Sequence, residues 1–132
     1  MLNLSNIGIW ILRLLAAIIL LQTLYFKFSA APESIYIFSK LGMEPWGRIG
    51  TGILELIAGI LLLVPATTVF GALLAIGLMA GAIFFHITKL GISVQNDGGQ
   101  LFIYALIVFV SSIALVVIYR NNLFEKIIRI KS

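Results

Sequence analysis

The 132-residue chain has no cysteine, which excludes a disulfide framework, a thiolate metal site and a dithiol redox pair. It has a single histidine, His86, so a bis-histidine haem within one copy is excluded too. Charge is scarce: 11% of residues are charged, where a soluble domain carries about 25%. Nine basic residues stand against five acidic ones, but they are scattered and flank apolar runs, unlike the clustered footprint of a nucleic-acid binder. What fills the chain is apolar, with 61% hydrophobic residues and a mean hydropathy of +1.15. So little polar surface could not cover a core of this size in water. The composition predicts an all-α integral membrane protein forming one domain over residues 1–132.

A spanning helix needs about 20 mostly apolar residues to cross about 30 Å of hydrocarbon. Four stretches meet this, at approximately 7–26, 46–64, 69–88 and 101–119. Helix is the conformer lipid permits, because an open strand would leave backbone groups unpaired. Arg13 lies inside the first run and Ser29-Ala30-Ala31 only loosely resembles a cleavage site, so this run reads as a span rather than a cleaved leader. Pro65-Ala66-Thr67-Thr68 is a tight connection that makes spans two and three antiparallel neighbours. Between spans one and two, Ile35, Phe38 and Leu41 repeat at helical spacing, with Pro32 and Glu33 suited to a first turn and Gly42 to a stop. This predicts a short amphipathic helix, lying in the interface or folded over the mouth of a four-helix bundle. Both termini fall on one side, with Arg120, Lys126, Arg129, Lys131 and Arg13, against Lys27, Lys40, Arg48 and Lys89 on the other. The bias places both termini in the cytoplasm.

The polar residues gather at the end away from the termini. Span one closes with Tyr25-Phe26-Lys27 and span three with Phe84-Phe85-His86, while span two opens with Arg48 and carries Glu55, and span four opens with Gln100 and Tyr104. Gln22 sits further down span one. Glu55 is the leading candidate, because a charge well inside a span costs several kcal/mol unless it is paired, hydrated or neutralised. Arg48, two turns away on the same face, and Lys27 or His86 on neighbouring helices are its available partners. Two readings of Glu55 stand: a structural ion pair stapling helices together, or a group that binds ligand or handles protons. Gly52 and Gly59 remove bulk from its face and admit a neighbouring helix or a ligand.

His86 fits a proton acceptor, a quinone hydrogen-bond partner or a metal ligand, but with no cysteine and no second histidine a metal site is not expected. Lys89 reads as a snorkelling lysine and Arg13 as a contact to lipid phosphate. Asp97, ahead of Gly98-Gly99, reads as a turn that caps span four. Gly77 and Gly81 form a small-xxx-small pair expected to pack helices within the bundle.

Arg13, Lys27, Lys40-Leu41-Gly42 with Pro45, then Gly52, Glu55 and Gly59, Gly71-Ala72 and His86 occur in an order and spacing that resembles the DoxX family of small four-span bacterial membrane proteins. The resemblance runs from about Arg13 to Arg120, with Leu24 departing where many relatives have glycine. It implies a four-helix bundle associated with membrane redox chemistry, in some members quinone-coupled sulfur oxidation or oxidoreductase assembly, and it carries Lys27, Glu55 and His86 over as candidate site residues. The function expected is an oxidoreductase-associated subunit binding a quinone or other lipophilic small molecule. Its expected partners are the bilayer and membrane or periplasmic oxidoreductase subunits. Candidate binding or proton-handling residues are Glu55, His86, Lys27, Arg48, Tyr104, Gln22 and Gln100. The alternatives are a non-catalytic scaffold and a small-molecule or lipid transporter, the latter weakened by the lack of a mid-helix break.

Overall fold

Long apolar runs unbroken by proline, bounded by polar turns, leave helix as the way to satisfy the backbone in lipid. The computed structural model describes the backbone of residues 4–131 and the side chains of residues 6–120. Its elements are α1 (Leu4–Phe28), α2 (Pro32–Lys40), α3 (Trp46–Leu63), a 3-10 turn (Pro65–Thr67), α4 (Thr68–Phe85), a π-helical turn (His86–Leu90) and α5 (Gln100–Lys131). Four helices are long and apolar enough to cross a membrane, over Asn6–Phe28, Trp46–Leu63, Pro65–Leu90 and Gln100–Arg120. They form a ring in which α1 packs on α3, α3 on α4, α4 on α5, and α5 back on α1. The seam is built from small residues, with Ala16, Ala17, Ala58, Ala72 and Ala75 fully buried beside Leu20, Leu62, Val108 and Leu115. Small side chains let backbones approach, which is where dispersion contacts are gained when lipid is as apolar as the protein. Outward positions such as Ile18, Ile60 and Val110 remain exposed, as a lipid-facing surface requires.

Arg13 departs from its expected place. It does not reach out to lipid phosphate; it is 2% exposed, folded against the C-terminal end of α3. Its Nε donates to the carbonyl oxygen of Leu62 at 2.8 Å and its Nη2 to that of Leu63 at 2.7 Å, while the guanidinium lies 3.7 Å from the centroid of the Trp10 ring. The last carbonyls of a helix have no partner within it and carry the negative end of its dipole, so a buried cation finds there what a carboxylate would otherwise supply. Arg48 plays the same part at the opposite end, donating from Nη1 to the carbonyl of Lys27 in the last turn of α1.

The short α2 folds over the bundle mouth against α1, α3 and the π turn. Of its expected inner residues Phe38 is buried and Leu41 half-buried, but the face is turned slightly: Ser34 is buried, whereas Ile35 is 37% exposed. The loop between the π turn and α5 is held by Asp97. Its Oδ1 accepts from the amides of Val94 and Gly99 at 3.0 and 2.8 Å, and its Oδ2 from that of Leu101 at 3.2 Å. Burial alone would raise this carboxyl, but the three amide donors and nearby His86 outweigh it and hold it below the ordinary aspartate range. A depressed native value means the charged form stabilises the fold above the unfolded value of about pH 3.9, and that contribution is lost as pH falls through the native value. The melting-temperature gap between wild type and Asp97→Asn is therefore expected to be full above about pH 5 and to narrow steadily below about pH 4. A gap that widens on acidification would contradict this.

Candidate functional site

The C-terminal end of α1, the start of α3, the π turn and the start of α5 meet in one half of the bundle, and α2 lies across them. Within this half is a cavity of about 370 Å³ with mainly apolar walls. The central polar contact joins α1 to α3. Lys27 Nζ lies 3.0 Å from Glu55 Oε1 and 3.2 Å from Oε2, with the two side chains 16% and 6% exposed. Thr23, one turn before Lys27 on the same face of α1, donates to Glu55 Oε2 at 2.9 Å and also lies 2.8 Å from the Leu20 carbonyl oxygen. Both carboxylate oxygens are thus partnered, while the ammonium, which has three N–H groups, donates one to Oε2 and pairs by charge with Oε1.

Gly52 and Gly59 explain how α1 comes so close. A Cβ at Gly59 would stand 2.7 Å from Leu21 Cδ2, and one at Gly52 would stand 2.8 Å from Phe28 Cε1. What enters the space beside Glu55 is therefore the neighbouring helix. Gly77 and Gly81 behave in the opposite way to expectation: a Cβ at either meets nothing within 4 Å, and both line the cavity. They do not pack helices together; they leave one wall of the cavity bare. The closest backbone approach is instead at Gly71, where a Cβ would stand 2.7 Å from the Leu62 nitrogen and 2.9 Å from the Ala58 oxygen.

Of the residues singled out in the sequence, Lys27, Glu55, His86, Gln22, Gln100 and Tyr104 all line this cavity. Arg48 does not, and it is not the partner of Glu55. Its Nε instead binds Glu44, at 2.9 Å to Oε1 and 3.1 Å to Oε2, which neutralises a guanidinium that is 7% exposed. Gln100 donates from Nε2 to the Tyr104 hydroxyl oxygen at 2.8 Å, which leaves the tyrosine hydrogen free to serve another acceptor. His86 is 5% exposed, with Nδ1 3.0 Å from the Gly91 carbonyl oxygen and its ring edge-to-face with Phe102 at 5.6 Å. Of the aromatic residues expected at this end, Phe26, Phe85 and Tyr104 line the cavity, while Tyr25 and Phe84 are 73% and 59% exposed on the outer surface.

Five polar residues of the cavity were not anticipated there: Thr23, Glu33, Ser34, Thr51 and Asp97. The i, i+4 spacings of Thr23 to Lys27 and of Thr51 to Glu55 were the available signal, since such pairs share a helix face. Ser34 is buried at 7% on α2 and could be found only by knowing how that helix is rotated.

The sequence model of the DoxX-like family matches residues 11–115, a stretch that includes Arg13, Lys27, Glu55 and His86. No curated protein matches the chain, and no solved structure does.

Proposed function

The chain belongs to the DoxX-like family of membrane proteins, and from that premise we propose that its cavity binds a lipophilic ring compound of the quinone type in service of a membrane oxidoreductase. The observation that carries this reading is the buried Lys27–Glu55 pair facing a largely apolar space with a helix folded across it. A volume of about 370 Å³ lies in the usual range of small-molecule sites, about 300–1,000 Å³, and such sites combine apolar walls with a few placed polar groups. The donor set fits a quinone, whose two ring oxygens accept hydrogen bonds: a remaining N–H of Lys27 and the Tyr104 hydroxyl are available donors in the cavity lining. When bound, a quinone would supply two-electron, two-proton redox chemistry. The chain's own groups would orient the ring, exclude water and, through Glu55, hold a proton near it. The bare α4 surface at Gly77 and Gly81 gives a flat ring room to lie against the helix.

This reading places the cavity on the outer side of a bacterial inner membrane, with both termini in the cytoplasm and a redox partner docking over α2. Three of the four basic tail residues invoked for that orientation, Lys126, Arg129 and Lys131, lie beyond the described side chains. Because the chain has no cysteine, a single Ser39→Cys substitution on exposed α2 reports the orientation cleanly. An impermeant maleimide should label it from outside intact spheroplasts, and protection there would reverse the topology.

A benzoquinone with a decyl tail, titrated into the purified protein in lipid nanodiscs, tests binding. Saturable binding is expected, weakened about tenfold by Tyr104→Phe, which removes one hydroxyl donor. Gly77→Leu should abolish it by filling the cavity without touching the Lys27–Glu55 pair. The mutual satisfaction of Lys27 and Glu55 favours a second reading, a scaffold held together by that pair. On that reading, quinone would not bind, and Gly77→Leu would leave any assembly intact.

A further inference from the structure

His86 is placed with unusual care for a residue at a helix end. The helix widens into a π turn at His86–Leu90, a deviation often found at functional positions. The turn is closed by Gly91 at φ +82°, a conformation that favours glycine, and this returns the Gly91 carbonyl oxygen to 3.0 Å from His86 Nδ1. A backbone carbonyl can only accept, so Nδ1 carries the hydrogen and donates it. In the neutral ring, Nε2 is then a lone-pair acceptor. Among the described residues no carboxylate forms an ion pair with His86, and Asp97 nearby turns its oxygens to three backbone amides. His86 lines the cavity at 5% exposure with Nδ1 taken, so Nε2 is the atom left to serve a ligand.

From this geometry we infer that His86 Nε2 accepts a hydrogen bond from a hydroxyl on the ligand ring, so that the cavity selects the phenolic or hydroquinone member of a ring pair over its carbonyl or ether counterpart. The inference rests on the reading of the cavity as a ring-binding site and adds its specificity. A carbonyl or ether oxygen placed against Nε2 would set two lone pairs against each other in a buried space, where an unmade hydrogen bond is costly. Lys27 is donor-only and cannot make this distinction, and a His86→Asn variant separates the Nε2 acceptor from the other acceptors of the cavity, the Tyr104 oxygen and the lining carboxylates. Gly91 is the positioning residue, acting through the carbonyl that fixes the tautomer.

Two probes that differ only in the hydroxyl test this: 4-tert-butylphenol and 4-tert-butylanisole, titrated against the purified protein in nanodiscs. The phenol is expected to bind about tenfold tighter, the equivalent of one buried hydrogen bond. In His86→Asn the amide can still donate to the Gly91 oxygen while no acceptor remains at the Nε2 position, so the preference should disappear. Histidine labelling with nitrogen-15 reports on His86 alone, since the chain has no other histidine. The Nε2 resonance of wild type should move with the phenol and stay with the anisole, a readout that holds whether or not the variant folds. Equal affinities in wild type, a preference that survives in His86→Asn, or an Nε2 signal indifferent to the phenol would overturn the inference while leaving the cavity a ring site. Failure of both probes to bind would remove the cavity reading as well.

Discussion

Lys27→Met is expected to lower the unfolding free energy by about 3–5 kcal/mol, read from thermal or denaturant unfolding in detergent micelles. The size follows from what is left behind. Glu55 is 6% exposed two turns inside α3, and without the ammonium its remaining donor is the Thr23 hydroxyl, whose single hydrogen is shared with the Leu20 carbonyl. The carboxylate must then stay charged and unpaired in an apolar setting or take up a proton, and either route weakens the fold. Glu55→Gln should cost less, for an asymmetric reason. The glutamine oxygen can still accept from Thr23, and Lys27, in the last turn of α1, has a long stem that can carry its charge toward the headgroups. Lys27→Met combined with Glu55→Leu should recover most of the loss, because replacing both members of a buried pair leaves no orphan. Lys27→Met no worse than Glu55→Gln would mean that the carboxylate reaches water through the cavity, and the space beside it would then be wet rather than apolar.

The parts of this arrangement legible in the sequence are those that follow from chain direction and chemistry alone. Four successive runs that each cross the membrane must alternate in direction, so Lys27, Glu55, His86, Gln100 and Tyr104 had to come to one end whatever the packing. Which charges meet is a different matter, because it depends on helix rotation and on the unpaired carbonyls at helix ends. Arg48 stands seven residues from Glu55 on one helix face and looks like its partner; in the fold its guanidinium goes to Glu44 and to the end of α1. Arg13 looks like a lipid anchor, and the end of α3 captures it. Neither outcome is encoded in a pairwise spacing, since the acceptors are backbone oxygens that every residue possesses. The rotation of α2 was similarly hidden. Ile35 and Ile37 are equivalent by hydrophobicity, and only the cavity beneath decides that Ile37 and Phe38 face inward.

Gly71→Ala is expected to cost about 3 kcal/mol, the upper end of what overpacking usually does. The added methyl would stand 2.7 Å from the backbone nitrogen of Leu62, 2.9 Å from the backbone oxygen of Ala58 and 2.9 Å from Leu61 Cβ, none of which can turn aside without α3 and α4 moving apart. That displacement would also disturb the end of α3, where Leu62 and Leu63 hold Arg13. The other glycines rank themselves by what a methyl would meet. At Gly59 and Gly52 it meets the far ends of Leu21 and Phe28, side chains that can rotate at moderate cost. At Gly77 and Gly81 it meets nothing, so the gain in helix propensity, at most about 1 kcal/mol per glycine replaced, should appear as unchanged or slightly raised stability. Unfolding midpoints of the five alanine variants in one detergent provide the check. The order separates glycine kept for helix contact from glycine kept for open space. Gly77→Ala as damaging as Gly71→Ala would show that the bare wall of the cavity is covered in the membrane by a further helix, leaving no room there for a ring.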